Sequence, residues 1–364
     1  MMFFKLSEDQ RMIVDAAIGF VRKQSPVSRM RKLRDDPQGW STDTWRQLGD
    51  LGWLGLPFPE SVGGYGGSLV DLALVLEQLG TTLVPEPIAS SLVAAMTILR
   101  AGDDAQQKTW LGPMIEGKAT LALAWAERAS RYDATKVATS AERISAGYRL
   151  SGHKQFVLDG HAASQLVVSG RCDGAVALFV IDATTPGVKI QPLRTLDGRR
   201  AAAIDFESVV VTADRRLGRA GAPALAYALD VGAAMACAEG VGIMRAVLAM
   251  TTEYLRTREQ FGAKIGSFQV LQHRAVDMFV ELELAYSMAL AAAIQVDQPA
   301  TVSAAKAQLA ESGKLVTQQA IQLHGGIGIT DEHDVGLYFK RMHALNAMYG
   351  DQEFHIARFA SLVR

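Results

Sequence analysis

Short, β-branched, alternating segments lie between two blocks of helical periodicity, and this arrangement most restricts how the chain can fold. Residues 119–220 contain Leu121–Ala126, Tyr148–Ser151, Lys154–Val157, Gln165–Ser169, Ala175–Ile181 and Ala203–Val211, broken by glycine and aspartate. Such segments read as a small all-β module. Ahead of them the pattern is helical: Met12, Ile13, Ala16, Ala17 and Phe20 recur at helical spacing, and Ser7 with Gln10 predicts a capping box. Further helices are expected over Thr42–Leu51, Leu69–Gly80, Ala89–Ala101 and Ala105–Glu116, with a loop through Pro57, Pro59 and the glycines around Tyr65. After the module, long helices are expected at 222–257, 267–296, 300–324, 333–348 and 352–362. Ser267 is the expected N-cap of the second, and Gly325 closes the third. The fold expected is therefore α+β and multidomain: a helical domain (1–118), a middle β domain (119–220) and a C-terminal helical bundle (221–364).

Composition narrows the function classes. The 37 basic and 38 acidic residues leave a net charge of −1, so no charge field directs the chain to nucleic acid or an anionic membrane. Cys172 and Cys237 stand far apart and outside any C-x-x-C spacing, which argues against a disulfide scaffold or zinc site and fits a reducing cytoplasm. No metal site is expected: His273 and His324 are lone histidines on a long helix or at a helix end, and both read as packing or capping groups. The run Met1-Met2-Phe3-Phe4 is too short for a signal peptide, and alanine-rich runs such as Ala233–Ala238 read as too short to cross a bilayer. The Arg29–Arg34 run reads as a solvated face, with CoA phosphates as its other possible use. A soluble cytoplasmic protein is the expectation.

Two motifs carry chemistry. Arg258-Glu259-Gln260-Phe261-Gly262 ends one long helical pattern, and Gln322-Leu323-His324-Gly325-Gly326 ends another. Arginine offers a fork of N–H donors matched to a pyrophosphate. Consecutive glycines admit backbone N–H groups to a ligand where a Cβ would clash. Taken singly, each motif also reads as a plain helix terminus, Gly-Gly being a common C-cap. Together they suit a large anionic dinucleotide lying across helix ends.

With these motifs, the whole chain resembles the acyl-CoA dehydrogenase family. The N-terminal zone has Trp53-Leu54-Gly55-Leu56, Pro59-Glu60, Gly63-Gly64-Tyr65-Gly66 and Glu77-Gln78-Leu79-Gly80 in the family's order. Gly152-His153-Lys154-Gln155-Phe156-Val157 and Gly160 follow in the β module, then Ile265, Phe268-Gln269, Gly328 and Arg341 in the last zone. The resemblance implies FAD as cofactor and a subunit of helical domain, β-barrel-like domain and four-helix bundle. It also implies dimers or dimers of dimers, with each FAD at a subunit interface. The implied reaction is α,β-dehydrogenation of an acyl-CoA thioester, with an electron-transfer flavoprotein as acceptor. By residue-for-residue match, Arg258, Gln260, Phe261, Gln269, Gln322, Gly325 and Gly326 are implied to grip a neighbouring subunit's FAD. Arg258 suits pyrophosphate oxygens, Phe261 an adenosine or ribose face, and the glutamines amide hydrogen bonds.

The chain departs from the family where the reaction occurs. A carboxylate must remove the α-proton while the β-hydrogen leaves as hydride to the flavin. In most members that base is a glutamate, and its matching position, counted from Arg341, is Gly350. A minority place it earlier, where the match is near Gly232. Neither residue has a carboxylate, so no catalytic residue is assigned. Asp351 lies one residue from the first position and Glu239 about two turns from the second. Asp351 also reads as the cap of the helix that follows it. In the β module, Arg128, Arg131 and Tyr132 are bulky where the family is small, and Leu158 stands where a threonine hydroxyl meets the flavin.

The losses fall on groups serving the chain's own flavin and base, whereas groups serving a neighbour's cofactor remain. The tail Gly350–Arg358 is similar to small subunits of heteromeric bacterial enzymes that degrade steroid side chains or pimelate-type acids. The resemblance thus implies a base-lacking subunit that clamps the FAD of a larger, related subunit. Three alternatives stay open: a homo-oligomeric acyl-CoA dehydrogenase using Asp351 or Glu239, a non-redox structural homologue, and a flavin oxidase or monooxygenase on the same scaffold.

Overall fold

A computed structural model describes residues 5–363; the apolar residues 1–4 at the start of the chain lie outside it. In chain order the helices are α1 (Glu8–Gln24), α2 (Val27–Leu33), α3 (Thr42–Asp50), α4 (Leu69–Gly80), α5 (Ile88–Ala101), α6 (Asp104–Ile115), α7 (Gly221–Thr257), α8 (Gln269–Ile294), α9 (Pro299–His324), α10 (Val335–Ala347) and α11 (Gln352–Leu362). Between α6 and α7 run β1 (Leu121–Ala124), β2 (Ser140–Ile144), β3 (Gly147–Leu158), β4 (Gln165–Cys172), β5 (Ala175–Asp182), β6 (Val188–Arg194) and β7 (Arg200–Val211). By internal packing the chain forms two compact units.

One unit is helical and takes the chain up to Lys32, Leu69–Val84 and everything from Ala233 onward. Its first helix opens with the expected capping box, Ser7 Oγ accepting from Gln10 N and Gln10 Oε1 from Ser7 N, both at 3.1 Å. The backbones of α4 and α7 approach so closely that only glycine fits the crossing. A Cβ on Gly242 would overlap the Glu77 carbonyl oxygen, and one on Gly80 would overlap that of Glu239. Glycine inside a helix ordinarily weakens it by about 1 kcal/mol; here it is the residue that permits the contact.

Three sequence expectations change in this unit. Ala233–Ala238 belongs to a 37-residue helix that is long and apolar enough to cross a membrane. Its burial marks it as a core helix, because 83% of the apolar window is covered by the protein itself. Ser267 is not the N-cap of α8; Phe268 takes that position without a side-chain cap, and Ser267 Oγ donates to Lys264 O at 2.7 Å. The basic run after Ser25 is not merely solvated, since Arg31 Nε donates to Asp334 Oδ1 at 2.7 Å and its Nη1 to Asp331 O at 2.6 Å.

The other unit, Leu33–Ser68 with Pro85–Gly232, holds the seven-stranded sheet, ordered β1-β4-β2-β3-β7-β6 with β5 added to β4. Leu150, Val168, Phe179, Ile204, Phe206 and Val209 are fully or almost fully buried in its core. Tyr148–Ser151 and Lys154–Val157, read as two strands, are one. β3 runs through both and absorbs the break as register shifts at Leu150/Gly152 and Lys154/Val157. The sequence reading missed β2 and β6, whose residues are mostly exposed or half-exposed and so lack the apolar alternation that marks a half-buried strand.

Candidate functional site

Where α7 ends, the chain reverses through β8 (Glu259–Gln260) and β9 (Ala263–Lys264). Phe261 and Gly262 make the turn with φ of 56° and 76°. Positive φ at both central positions is the geometry of a tight hairpin. Gly262 adopts it freely, but for a bulky L-residue such as Phe261 it is an uncommon and strained conformation. The ring so placed is 92% exposed and stands edge-to-face with Phe268, their centroids 6.3 Å apart.

α9 ends at Gly325, with φ of 63° and its N–H bonded to Gln322 O, and a tight turn continues to Ile329. A Cβ on Gly325 or Gly326 would meet no atom within 4 Å. Gly326 does not have a positive φ, so nothing inside the chain requires glycine there. Its bare backbone faces open space.

These two helix ends border an open cleft of about 700 Å³ that gathers six of the seven residues singled out from the sequence: Arg258, Gln260, Phe261, Gln322, Gly325 and Gly326. Gln269, the first residue of α8, is not among those lining it. Ile265, Val270, Leu271, Leu323 and Ile327 give it apolar walls. Sequence reading did not anticipate Arg274, which also lines the cleft. The signal was available in its helical spacing, since Arg274 lies at i+4 from Val270 and so shares its face of α8.

Among the described residues, the charged groups lining the cleft are both guanidinium groups, and no carboxylate lines it. Among the described residues the Arg258 side chain has no hydrogen-bonding or ionic partner, while Arg274 Nη1 donates to the neutral Gln319 Oε1 at 3.1 Å. Two cations, amide donors, bare glycine backbone, an exposed ring and apolar walls make a donor set that fits an adenine nucleotide diphosphate. His324 is a packing group. Its Nδ1–H donates to Ala320 O at 2.8 Å, and its ring lies between Tyr254 and His333 at 4.6 and 4.5 Å. Burial pushes its pKa below the ordinary histidine value.

The same helical unit contains Gly350, Asp351 and Glu239, whereas Gly232 is the last residue of the other unit. Gly350 has a φ of 119°, and a Cβ there would overlap His355 Nε2 and stand 2.6 Å from Phe354 Cδ1. The loop is pinned on several sides. Fully buried Lys306 donates to Gly350 O at 2.9 Å and Asn346 O at 3.2 Å. His355 Nε2 donates to Tyr349 O at 3.1 Å. Asp351 Oδ1 accepts from Phe354 N at 2.8 Å, which is the expected cap of α11. Glu239 is buried and accepts two bonds from Arg341, at 2.7 and 2.8 Å. Burial lowers Lys306 to about 8, and burial together with the Lys306 charge lowers His355 to about 3.

In the sheet-containing unit, Glu127 is turned inward. Its carboxylate accepts from Ala138 N, Thr139 N, Thr139 Oγ1 and Lys154 Nζ at 2.6–3.0 Å. Burial works to raise its pKa, but the bonds from Lys154 and Thr139 outweigh that and hold it below the ordinary value. Arg128 and Arg131 are exposed on the following turn, and Leu158 ends β3 half-buried. Among the described residues no group of three or more His, Cys, Asp or Glu gathers in a metal-binding arrangement.

Residues 7–118, 122–209 and 219–362 match, in order, the N-terminal, middle and C-terminal domains of acyl-CoA dehydrogenases. The chain belongs to the acyl-CoA dehydrogenase family. The chain is 31% identical over 364 residues to acyl-CoA dehydrogenase IpdE2 of Mycolicibacterium smegmatis, covering 98% of this chain and 100% of that one. Among solved structures it superposes on the ChsE4–ChsE5 complex from Mycobacterium tuberculosis with a TM-score of 0.92, at 27% identity over 100% of this chain and 99% of that one. The Tcur3481–Tcur3483 steroid acyl-CoA dehydrogenase gives 0.89 at 28% identity, covering 98% of both chains. FAD is the cofactor of the family.

Proposed function

We propose that this chain is the base-lacking subunit of a heteromeric, FAD-dependent acyl-CoA dehydrogenase, whose cleft holds the nucleotide half of a flavin carried chiefly by a larger related subunit. The observation that carries this reading is the state of the Gly350 loop. Its missing side chain has not left a gap, because His355 and Phe354 fill the direction a glutamate would take. The cleft, by contrast, keeps two cations without a carboxylate to neutralise them. A chain that held its own base at the Gly350 position would need the direction filled by His355 and Phe354 to be open.

Bound FAD supplies the hydride acceptor. In this proposal Arg258 pairs with the pyrophosphate, Gln260 and Gln322 orient it, Phe261 covers the adenosine, and the Gly325–Gly326 backbone admits the ligand. Gln269 belongs to the same set by its match to the family. The partner subunit supplies the carboxylate. Two further observations support a protein partner. Val276, Phe279, Val280 and Leu284 form one exposed apolar stripe on α8, the helix that also contributes Val270 and Arg274 to the cleft. The ChsE4–ChsE5 structure is itself a complex of two differently named chains.

The reading places the enzyme in the cytoplasm, acting on an acyl-CoA of the steroid side-chain or dicarboxylate type and passing electrons to an electron-transfer flavoprotein. A homo-oligomer using Asp351 or Glu239 as base is less favoured, because Asp351 is engaged as a cap and Glu239 is held at both oxygens by Arg341. Expression alone and with a glutamate-bearing relative tests the proposal. The chain alone should not oxidise any acyl-CoA, and the pair should. Turnover by the chain alone would overturn it.

A further inference from the structure

We infer that Arg274 is a second phosphate-holding residue of the cleft, positioned by Gln319, so that this chain grips both phosphates of the cofactor's diphosphate. The inference rests on the reading of the cleft as the site of the FAD nucleotide half. It adds a residue that neither of the two sequence motifs contains.

Arg274 lies in the second turn of α8, half-buried, and lines the cleft together with Arg258 from the end of α7. A half-buried charge is usually met by an opposite one. Here the described partner is the side-chain amide oxygen of Gln319, 3.1 Å from Nη1. An amide acceptor fixes the direction of the guanidinium without cancelling its charge. One of five N–H donors is used, and four remain for an anion. Gln319 is itself well placed for this, since it precedes Gln322 by three residues on α9 and so shares the face that borders the cleft.

The chemistry favours a diphosphate over a single phosphate. Guanidinium groups arriving from two different helices present two forks, and a fork pairs best with two oxygens of one phosphate. The Arg258 side chain, with no partner among the described residues, is free to follow the ligand, while Arg274 is held ready by its brace. A preorganised donor loses less side-chain freedom on binding. Arg274 therefore sets where the diphosphate sits, and Arg258 closes on it.

The test uses the flavin-loaded assembly purified through a tag on this chain. Flavin release on dilution is followed by fluorescence at several salt concentrations. Arg274→Gln is expected to weaken FAD retention on the order of 10- to 100-fold, with the difference shrinking as salt rises. Arg274→Lys should recover part of the loss, because it returns the charge without the fork. Gln319→Leu, which removes only the brace, should lie between Arg274→Gln and the unsubstituted chain. Thermal unfolding of each variant without flavin should be unchanged within about 2 °C, which separates binding from folding. If Arg258→Gln loosens FAD and Arg274→Gln does not, Arg274 is only a strut between α8 and α9 and the inference is wrong, although the reading of the cleft survives. If neither substitution affects a flavin that is present, the reading of the cleft fails as well.

Discussion

The space beyond the Cα of Gly350 belongs to His355. A Cβ built on Gly350 would overlap His355 Nε2, and the glycine's φ of 119° is one that side-chain-bearing residues rarely adopt. The loop is thus shaped around the absence of a side chain. Gly350→Glu should therefore fail to install a base. It is expected to destabilise the protein by about 2–4 kcal/mol, through overlap and backbone strain, with no acyl-CoA oxidation gained. Denaturant unfolding and a dehydrogenase assay check both halves; an active variant of unchanged stability would contradict the expectation.

Substitution at Gly326 is expected to separate folding from ligand binding. With open space at its Cβ and no positive φ, Gly326→Ala should change stability by no more than about 0.5 kcal/mol. The larger Gly326→Val should leave the fold intact but loosen FAD measurably, by placing carbon where the nucleotide approaches. Flavin content after gel filtration reads this directly. Retention equal to the unsubstituted protein would argue against ligand contact at this turn.

Much of the fold was legible in the sequence because its signals are local. The Ser7–Gln10 box, the helix α4 from Leu69 to Gly80 and the termination of α9 at Gly325 all follow from caps and periodicity. What was illegible depends on contacts distant in sequence. Gly152 reads as a strand breaker, yet it is a close-approach point, since a Cβ there would crowd Thr139. Ser267 is a good N-cap residue by type, but its hydroxyl is bonded to Lys264 O. The two motifs that border the cleft could be read from the sequence; helical spacing put Arg274 on the same face of α8 as Val270, but that this face borders the cleft depends on how α8 packs beside α9.

His355 makes stability pH-dependent. Its folded pKa of about 3 lies below the ordinary value of 6.5, chiefly through burial and the charge of Lys306. Between those values the unfolded chain binds a proton that the folded chain does not, so this contribution to stability is complete above pH 6.5 and is lost as pH falls toward 3. The slope is at most about 1.4 kcal/mol per pH unit. His355→Gln, compared with the unsubstituted protein in urea unfolding from pH 7 to 4, should lose this component of the slope. Parallel pH profiles would show that the histidine does not titrate as described.

The two acidic candidates for a base should differ sharply on amidation. Asp351→Asn keeps an N-cap of nearly equal quality and is expected to change stability by less than about 1 kcal/mol. Glu239→Gln leaves buried Arg341 without its counter-charge and should cost about 3–5 kcal/mol. Neither change should abolish catalysis by the assembled enzyme through loss of a base. Loss of turnover in Asp351→Asn, with FAD and stability preserved, would instead identify that residue as the proton acceptor.

The most direct measurement counts FAD per polypeptide in the assembly purified from its native cell through a tag on this chain. A second, related polypeptide in equal amount, bearing the glutamate that this one lacks, with one FAD for each unlike pair, is the expected result. One FAD for every copy of this chain, with no second polypeptide present and acyl-CoA oxidised, would contradict it.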